Sequence, residues 1–393
     1  MRRQLIANRA LIRAINRSTV LNTIKTHGPL SRAEAARQTG LSAATLTAIT
    51  GELLESGLIF EKEAGDSSGG RKPILLALNP RGGFVIGAKL TEDHISAALT
   101  DLEATVLARQ TTPLVETSAE AVAEAFSGVV SELLAANQVE RSRFYGVGVG
   151  LAGIVDPGQG LLRYSPMFGW EQAPVAQMLQ DKVGVPVYID NDVNTLTLTE
   201  LWFGRGQGVE NFLTVTIGRG LGLGIVLDGK LYGGARGGAG ELGHTVVDPD
   251  GPPCACRKRG CLETYVGDPG LVRQARQAGL HVDSVEDLLR LAQAGDPTAR
   301  AILSRAGELL GFALANLVNV LVPQMIIISG EGVRAGDWLF ASMRHALEAQ
   351  VMPPLRGDLN VQIDVWDEYA WARGAAGLVL RRLFESPVEA GGA

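Results

Sequence analysis

Apolar side chains recur at helical spacing through residues 18–60, the first strongly patterned part of the chain. A first helix presents three of them on one face and breaks at residues 27–29, His-Gly-Pro, because glycine and proline both disfavour continuation. The residues on that face are Val20, Leu21 and Ile24. The pattern predicts a small helical module at the N-terminus.

Two capped helices follow the break. Ser31 and Glu34 stand at the spacing of a capping box, in which each side chain satisfies an otherwise unbonded backbone N–H. Gly40 ends this helix, and Ser42 caps the next one. The third helix has one apolar face, formed by Leu46, Ile49 and Leu53. Two capped helices joined by a tight turn are typical of a helix-turn-helix, although a plain helical hairpin has the same pattern.

Two short apolar segments, residues 58–63 and 73–78, predict a pair of strands after the third helix. The polar, glycine-rich residues 64–72 join them and end in Arg71 and Lys72. The sequence therefore predicts a wing with a basic tip.

From Gly82 onward the pattern is that of an α/β fold with many strands. A long helix is predicted at 119–136, and two amphipathic helices at 297–322 and 335–350 flank a buried strand at 325–329. The other predicted strands are 84–90, 94–100, 105–111, 145–150, 185–190, 211–217 and 222–227.

Charge divides the chain in the same place. Residues 1–81 hold 12 Lys and Arg against 6 Asp and Glu, whereas the remainder is acidic and brings the whole chain to −6. A basic end favours a polyanion such as double-stranded DNA. The residues predicted to contact it are Ser42, Ala43, Ala44, Thr45 and Thr47 at the start of the third helix, and Arg71 and Lys72 in the wing.

The longest apolar stretches are short and interrupted, well below the roughly 20 residues of a membrane span. The N-terminus carries Arg2, Arg3 and further polar residues instead of the apolar core of a signal peptide. We therefore expect a cytoplasmic protein.

All three cysteines lie within eight residues, ten residues after a histidine. An odd number of cysteines with tiny intervening loops is a poor disulfide framework, and three thiolates with one imidazole close a tetrahedral site of the structural zinc type. Ordinary buried thiols are the alternative. The predicted zinc ligands are His244, Cys254, Cys256 and Cys261.

The polar run at residues 190–194, Asp-Asn-Asp-Val-Asn, follows one strand and opens a helix. Ligands of α/β proteins bind at such strand ends, and carboxylates and amides suit the hydroxyls of a polyol, although a simple helix cap explains any one of these residues. Glu241 and Glu263 flank the predicted zinc loop. The glycine-rich residues 218–224 resemble a phosphate-binding turn, and a glycine-rich hairpin is the alternative.

Taken in order, these motifs resemble the ROK family of repressors and sugar kinases, in particular its xylose-repressor-like members. The resemblance covers nearly the whole chain. It is carried by the helix-turn-helix, Gly70-Arg71-Lys72-Pro73, Asp190-Asn191-Asp192, Gly240-Glu241-Leu242-Gly243-His244 and Cys254-Ala255-Cys256 with Cys261-Leu262-Glu263.

The resemblance implies a winged helix-turn-helix domain, residues 1–79, followed by a two-lobed actin-like, sugar-kinase (ribonuclease-H-like) fold at 80–385. The small lobe would be 80–190 with a C-terminal helix at 368–385, the large lobe 191–367, and 386–393 a tail. The implied sugar contacts are Gly153, Asn191, Asp192, Glu241, His244 and Glu263. In a kinase, Asp192 would be the catalytic base.

The phosphate loops depart from the kinase pattern. Kinases of the family have Asp-x-Gly-Gly-Thr where this chain has Ile86-Gly87-Ala88-Lys89-Leu90, and Gly-Thr-Gly where it has Gly218-Arg219-Gly220. Met167 stands where relatives often have a sugar-binding asparagine. Phosphoryl transfer depends on positioned phosphates and metal, so altered loops at Gly87–Leu90 and Arg219 predict binding without turnover.

We therefore expect a sugar-responsive transcriptional regulator, a repressor that binds operator DNA and a monosaccharide such as xylose or glucose. A homodimer or tetramer is expected, because helix-turn-helix proteins usually bind two half-sites. An active ATP-dependent sugar kinase with a regulatory DNA-binding module is the alternative, and an effector domain that senses a protein partner is a third hypothesis.

Overall fold

The computed structural model describes residues 9–63, 74–357, 359–364 and 368–384. The N-terminal module consists of three helices and a three-stranded antiparallel sheet of order β1-β3-β2. Its elements are α1 (Arg9–His27), β1 (Leu30–Ser31), α2 (Arg32–Thr39), α3 (Ala43–Glu55), β2 (Ile59–Glu63) and β3 (Ile74–Leu78).

The predicted helix caps are confirmed. Ser31 and Glu34 form a capping box, Gly40 closes α2 in the left-handed conformation, and the Ser42 side chain accepts a hydrogen bond from the Thr45 N–H. Helix α1 begins at Arg9, earlier than the pattern predicts. The apolar pattern does not include its first turns, because they are exposed and hold an Arg13–Glu52 ion pair instead of an apolar face. The predicted wing tip with Arg71 and Lys72 lies outside the described residues.

The first five-stranded sheet has the order β11-β7-β4-β5-β6. Strands β4, β7 and β11 are parallel to one another, β5 is antiparallel to β4, and β6 is antiparallel to β5. Its elements are β4 (Phe84–Leu90), β5 (His94–Asp101), β6 (Val106–Pro113), α4 (Ala119–Ala136), β7 (Phe144–Leu151), α5 (Val175–Val183) and β11 (Val187–Asn191). Together with α4 and α5, this sheet is called the small lobe below.

A three-stranded sheet of short strands extends the small lobe: β8 (Ile154–Asp156), β9 (Leu161–Ser165) and β10 (Trp170–Ala173). The sequence does not predict it, because three to five residues are too few to display a reliable apolar alternation.

The second five-stranded sheet has the order β14-β13-β12-β15-β16 and forms, with its helices, the large lobe. Helix α6 (Asp192–Phe203) leads from the first sheet into it. The strands are β12 (Phe212–Ile217), β13 (Leu221–Leu227), β14 (Lys230–Leu231), β15 (Met325–Ser329) and β16 (Asn360–Ile363). The helices are α7 (Glu263–Val266), α8 (Asp268–Gln277), α9 (Val285–Gln293), α10 (Pro297–Leu321) and α11 (Asp337–Gln350).

Helix α10 is long and apolar enough to cross a bilayer by length and composition, but 56% of its most apolar window is buried inside the protein. Gly307 and Gly311 let it pack directly on the backbone of α11, since a Cβ on Gly307 would lie 2.1 Å from the Leu339 carbonyl oxygen. It is therefore a core helix of the large lobe.

The C-terminal helix α12 (Glu368–Phe384) returns to the small lobe. It packs without intervening side chains on β4 and β7, because a Cβ on Gly87 or Gly148 would lie 1.8 or 1.7 Å from an α12 carbonyl oxygen. Its last turns enter the core of the N-terminal module, where Val379, Leu380 and Phe384 share one buried cluster with residues of α1, α3 and β3.

Candidate ligand cleft, metal centre and DNA-binding surface

A cleft of about 810 Å³ opens between the two lobes. This volume lies within the usual range for a small-molecule site. All six residues predicted to contact a sugar line the cleft, namely Gly153, Asn191, Asp192, Glu241, His244 and Glu263. Met167 also lines it and is partly exposed.

Asn191 joins two loops at the small-lobe side of the cleft. Its Oδ1 caps α6 by accepting hydrogen bonds from the N–H groups of Val193 (2.8 Å) and Asn194 (3.3 Å). Its Nδ2 donates to the Gly153 carbonyl oxygen at 3.1 Å. An amide NH₂ carries two hydrogens, so one remains available for a ligand hydroxyl.

Asp192 is the first residue of α6, and burial raises the pKa of its carboxyl group. Lys89 opposes this rise: its Nζ lies 3.9 Å from the Asp192 Oδ2. The same ammonium lies 3.8 Å from the centre of the Trp371 ring at the start of α12. Lys89 thus links the polar centre of the cleft to the C-terminal helix.

Glu241, His244 and Glu263 line the opposite, large-lobe side. Burial raises the pKa of Glu241, whose Oε2 lies 3.9 Å from the His244 Nε2. Glu263 accepts a hydrogen bond from the Leu221 N–H at 3.0 Å and so holds the glycine-rich turn between β12 and β13. The other oxygens of these carboxylates are suited to accept hydrogen bonds from ligand hydroxyls.

The four predicted metal ligands come together at the edge of the cleft. One ligand atom from each of His244, Cys254, Cys256 and Cys261 lies within 4.8 Å of the other three. The His244 Nδ1 is 3.5 Å from the Cys254 Sγ, and the Cys256 Sγ is 3.5 Å from the Cys261 Sγ. This group is able to hold one metal ion. Three soft sulfur donors and one imidazole nitrogen form a ligand set of the kind that Zn²⁺ prefers.

Several cleft residues were not singled out from the sequence as contacts. Trp371 lies 179 positions after Asp192 and gives no local signal. Lys89 was noted only as part of an altered loop, and nothing in the local sequence indicates its pairing with Asp192. Glu92, Arg219 and Glu331 also line the cleft.

The N-terminal module presents the start of α3 to solvent. Ser42, Ala43, Ala44, Thr47 and Ala48 are exposed, whereas Leu46, Ile49 and Leu53 are buried. Two side chains of this face are engaged locally: Thr47 donates to the Ala43 carbonyl oxygen at 2.8 Å, and Thr45 exchanges a hydrogen bond with Ser42 at 2.9 Å. The side chains on this exposed face are therefore small. None of them is bulky enough to obstruct close approach to a DNA groove.

Comparison with known proteins agrees with both parts of the chain. The profile of the ROK family matches residues 85–382, and that of a winged helix-turn-helix DNA-binding domain matches residues 13–59.

Individual relatives align with nearly the whole chain. The xylose repressor of Bacillus spizizenii is 29% identical over 97% of this chain and 98% of its own. The transcriptional dual regulator NagC of Escherichia coli is 30% identical over 96% and 95%. A crystal structure of a ROK family transcriptional regulator, described as a homolog of the E. coli MLC protein, superimposes with a TM-score of 0.83 at 29% identity, over 95% of this chain and 96% of that one.

Proposed function

The chain belongs to the ROK family, and from that premise we propose that it is a sugar-responsive repressor of transcription. In this proposal the winged helix-turn-helix binds operator DNA, and the cleft binds a monosaccharide that changes the affinity for DNA. The relatives named as a xylose repressor and a transcriptional regulator align with nearly the whole chain, DNA-binding module included.

One observation carries the coupling between the two activities. The N-terminal module and the small lobe share a single hydrophobic cluster, in which Val20, Leu21 and Ile24 of α1 meet Val379 and Phe384 of α12. Such a shared core makes independent movement of the two parts costly, because separating them would expose apolar surface.

The other end of α12 reaches the cleft. Trp371 lies under the Lys89 ammonium, which also faces Asp192. A sugar hydroxyl that hydrogen-bonds to Asp192 changes the partner of Lys89 and hence the environment of Trp371. A rigid helix that is locked at one end into the DNA-binding module transmits the displacement to α1. Differential sugar affinity for the two arrangements is what allosteric coupling requires.

We propose that Asn191, Asp192, Glu241, His244 and Glu263 contact the sugar, with Gly153 shaping the cleft wall. Carboxylates and an amide on both sides of the cleft supply the acceptors and donors that adjacent hydroxyls of a pyranose or pentose need. The support for this assignment is the common position of these residues on the cleft surface.

We propose that His244, Cys254, Cys256 and Cys261 hold a structural Zn²⁺. Four protein ligands leave no open coordination position, so the ion would supply stability and no chemistry. Because Glu241 and Glu263 are next to this loop, the ion would fix the carboxylates that face the sugar.

We propose that the domain does not turn over ATP. The Lys89 ammonium lies 3.9 Å from Asp192, the residue that would serve as base, and favours the ionised carboxylate, which makes Asp192 a weaker base for deprotonating a sugar hydroxyl. Arg219 replaces a hydroxyl residue of the kinase loop and pairs with Glu92 across the cleft. Lys89 and Arg219, which lie in the two altered loops, thus each face a carboxylate in place of a phosphate.

We place the DNA contacts at the start of α3 and in the wing, and assign residues 1–79 and 80–385 as two domains. We further propose that the protein is cytoplasmic and forms a homodimer or a tetramer. Two copies are needed because operator half-sites repeat at about one helical turn.

The decisive experiment measures operator affinity by fluorescence anisotropy with and without a panel of monosaccharides, for the wild type and for Asp192→Asn. We expect one sugar to weaken operator binding by about 5- to 150-fold, the usual range of allosteric coupling. Asp192→Asn should keep operator affinity and lose this response. A panel that leaves operator affinity unchanged contradicts the proposal.

The alternative, a sugar kinase with a regulatory DNA-binding module, is tested on the same preparation by measuring ADP release with each sugar. Sugar-dependent ADP release that Asp192→Asn abolishes would replace our proposal by this one. A response of operator binding to a purified protein partner and to no sugar would favour the third hypothesis.

A further inference from the structure

One end of the cleft is dominated by carboxylates. The turn between β4 and β5 brings Glu92 to the cleft, and its carboxylate pairs with the Arg219 guanidinium from the turn between β12 and β13. The remaining Glu92 oxygen, Oε2, is buried and has no hydrogen-bond partner among the described residues. This oxygen is therefore an unsatisfied hydrogen-bond acceptor.

Glu331 covers the glycine-rich turn that resembles a phosphate-binding loop. A Cβ on Gly218 would lie 2.1 Å from the Glu331 Oε2, so this carboxylate is in direct contact with the loop backbone. Two N–H groups of the turn are also engaged, since Gly218 donates to the Gly220 carbonyl oxygen and Leu221 donates to Glu263. A phosphate at this turn would meet a carboxylate where a phosphate-binding loop offers N–H donors.

Each cation of the cleft has a protein partner, and one further donor, the Arg273 Nε, is buried without an acceptor among the described residues. Three Lys and Arg side chains line it within the described ranges. Lys89 faces Asp192, Arg219 pairs with Glu92, and Arg273 donates to the Thr264 carbonyl oxygen. Six carboxylates line the same surface, namely Glu92, Asp93, Asp192, Glu241, Glu263 and Glu331.

We infer that the cleft selects an uncharged monosaccharide and excludes phosphorylated ligands, and that Glu331 and Glu92 are the residues that impose this choice. This inference rests on the proposed function and specifies the chemical class of its effector. A phosphate ester brings up to two negative charges to within a few ångströms of Glu331, where the repulsion is stronger than in bulk water. An uncharged hydroxyl instead donates to the free Glu92 oxygen.

The test is isothermal titration calorimetry on the full chain with glucose, xylose and N-acetylglucosamine, and with glucose 6-phosphate, xylose 5-phosphate, N-acetylglucosamine 6-phosphate and ATP. We expect heat from one uncharged sugar and at least about tenfold weaker binding of its phosphate, a cost typical of one like-charge contact at partial burial.

Glu331→Gln keeps the size of the side chain and removes its charge. It should strengthen binding of the phosphate ester by about tenfold while the parent sugar changes less than about threefold. The matched control is Glu348→Gln, the same change at an exposed position of α11 outside the cleft, which should alter neither affinity.

The outcomes distinguish failure of this inference from failure of the proposed function. Tighter binding of a sugar phosphate than of its parent sugar overturns the inference and leaves the sugar-responsive repressor intact. An unchanged phosphate affinity in Glu331→Gln overturns the role of Glu331. If no sugar or sugar phosphate binds and none alters operator affinity, the proposed function itself fails.

Discussion

The side-chain ammonium of Lys25 lies 4.3 Å from the centre of the Phe384 ring. Lys25 belongs to α1 of the DNA-binding module, and Phe384 is the last residue of α12. Thirteen residues earlier on the same helix, Trp371 contacts the cleft, a distance of about 20 Å at 1.5 Å per residue. One helix therefore spans the molecule from the ligand cleft to the DNA-binding domain.

Replacing Phe384 should weaken this connection. In Phe384→Leu we expect sugar affinity to stay within about twofold of wild type, stability to fall by about 1 kcal/mol, and the sugar-induced change in operator affinity to shrink several-fold. Isothermal titration calorimetry measures the sugar affinity, thermal denaturation the stability, and fluorescence anisotropy the operator affinity with and without sugar.

The control for this variant is Phe126→Leu, the same change at a fully buried position of α4 that does not contact the DNA-binding module. A comparable loss of coupling in the control would mean that general destabilisation, not the α12 contact, is responsible.

Removing one thiolate should empty the metal site. Cys256→Ser is expected to reduce the bound zinc from about one ion per chain to a small fraction and to lower the melting temperature, because three ligands hold the ion far less firmly than four. Inductively coupled plasma mass spectrometry gives the metal content. Ala255→Ser introduces serine at the exposed neighbouring position and should retain the ion, whereas full zinc occupancy in Cys256→Ser would contradict the assignment.

Asp190 gives stability a dependence on pH. Burial raises its pKa from 3.8 to about 6, against the hydrogen bonds from Asn194 and the Asn191 N–H and the field of Arg381. A carboxyl group with a raised folded-state pKa contributes stability that is fully present below pH of about 4 and is lost as the pH rises through about 6.

Asp190→Asn keeps the acceptor oxygen and removes this titration. Its melting temperature relative to wild type should therefore increase between pH 4 and about 6.5, as thermal denaturation at several pH values will measure. Asp181→Asn, at an exposed position, should follow wild type throughout. A constant difference between Asp190→Asn and wild type across this range would show that Asp190 does not titrate there.

Wing and recognition helix should make different contributions to DNA binding. Arg71→Ala is expected to weaken binding to all sequences alike and to reduce the salt dependence by about one counterion, as removal of a phosphate or minor-groove contact does. Thr47→Ala should leave the salt dependence unchanged and reduce discrimination of the operator by about 1 kcal/mol. Titrations at several salt concentrations distinguish the two, and identical effects from both variants would contradict the division of roles.

Local signals in the sequence were sufficient for much of this molecule. Ser31, Glu34 and Gly40 identified both ends of α2, and Ser42 the start of α3, because a cap is a contact between residues three or four positions apart. The start of α1 and the whole of the short sheet β8–β10 are not predicted, since exposed helical turns and strands of three to five residues leave no apolar period.

The sequence by itself determined the order of the two domains, the helix caps, and a candidate set of metal ligands whose three thiols lie within eight residues, because these depend on neighbours along the chain. Only the tertiary structure decided that Lys89 faces both Asp192 and Trp371, that Glu92 meets Arg219, and that α12 ends in the core of the DNA-binding module. These partners lie far apart in sequence and are brought together by two sheets and a returning helix. No periodicity or spacing encodes such pairs, because they depend on which strands become neighbours and on how closely α12 approaches the glycines of β4 and β7.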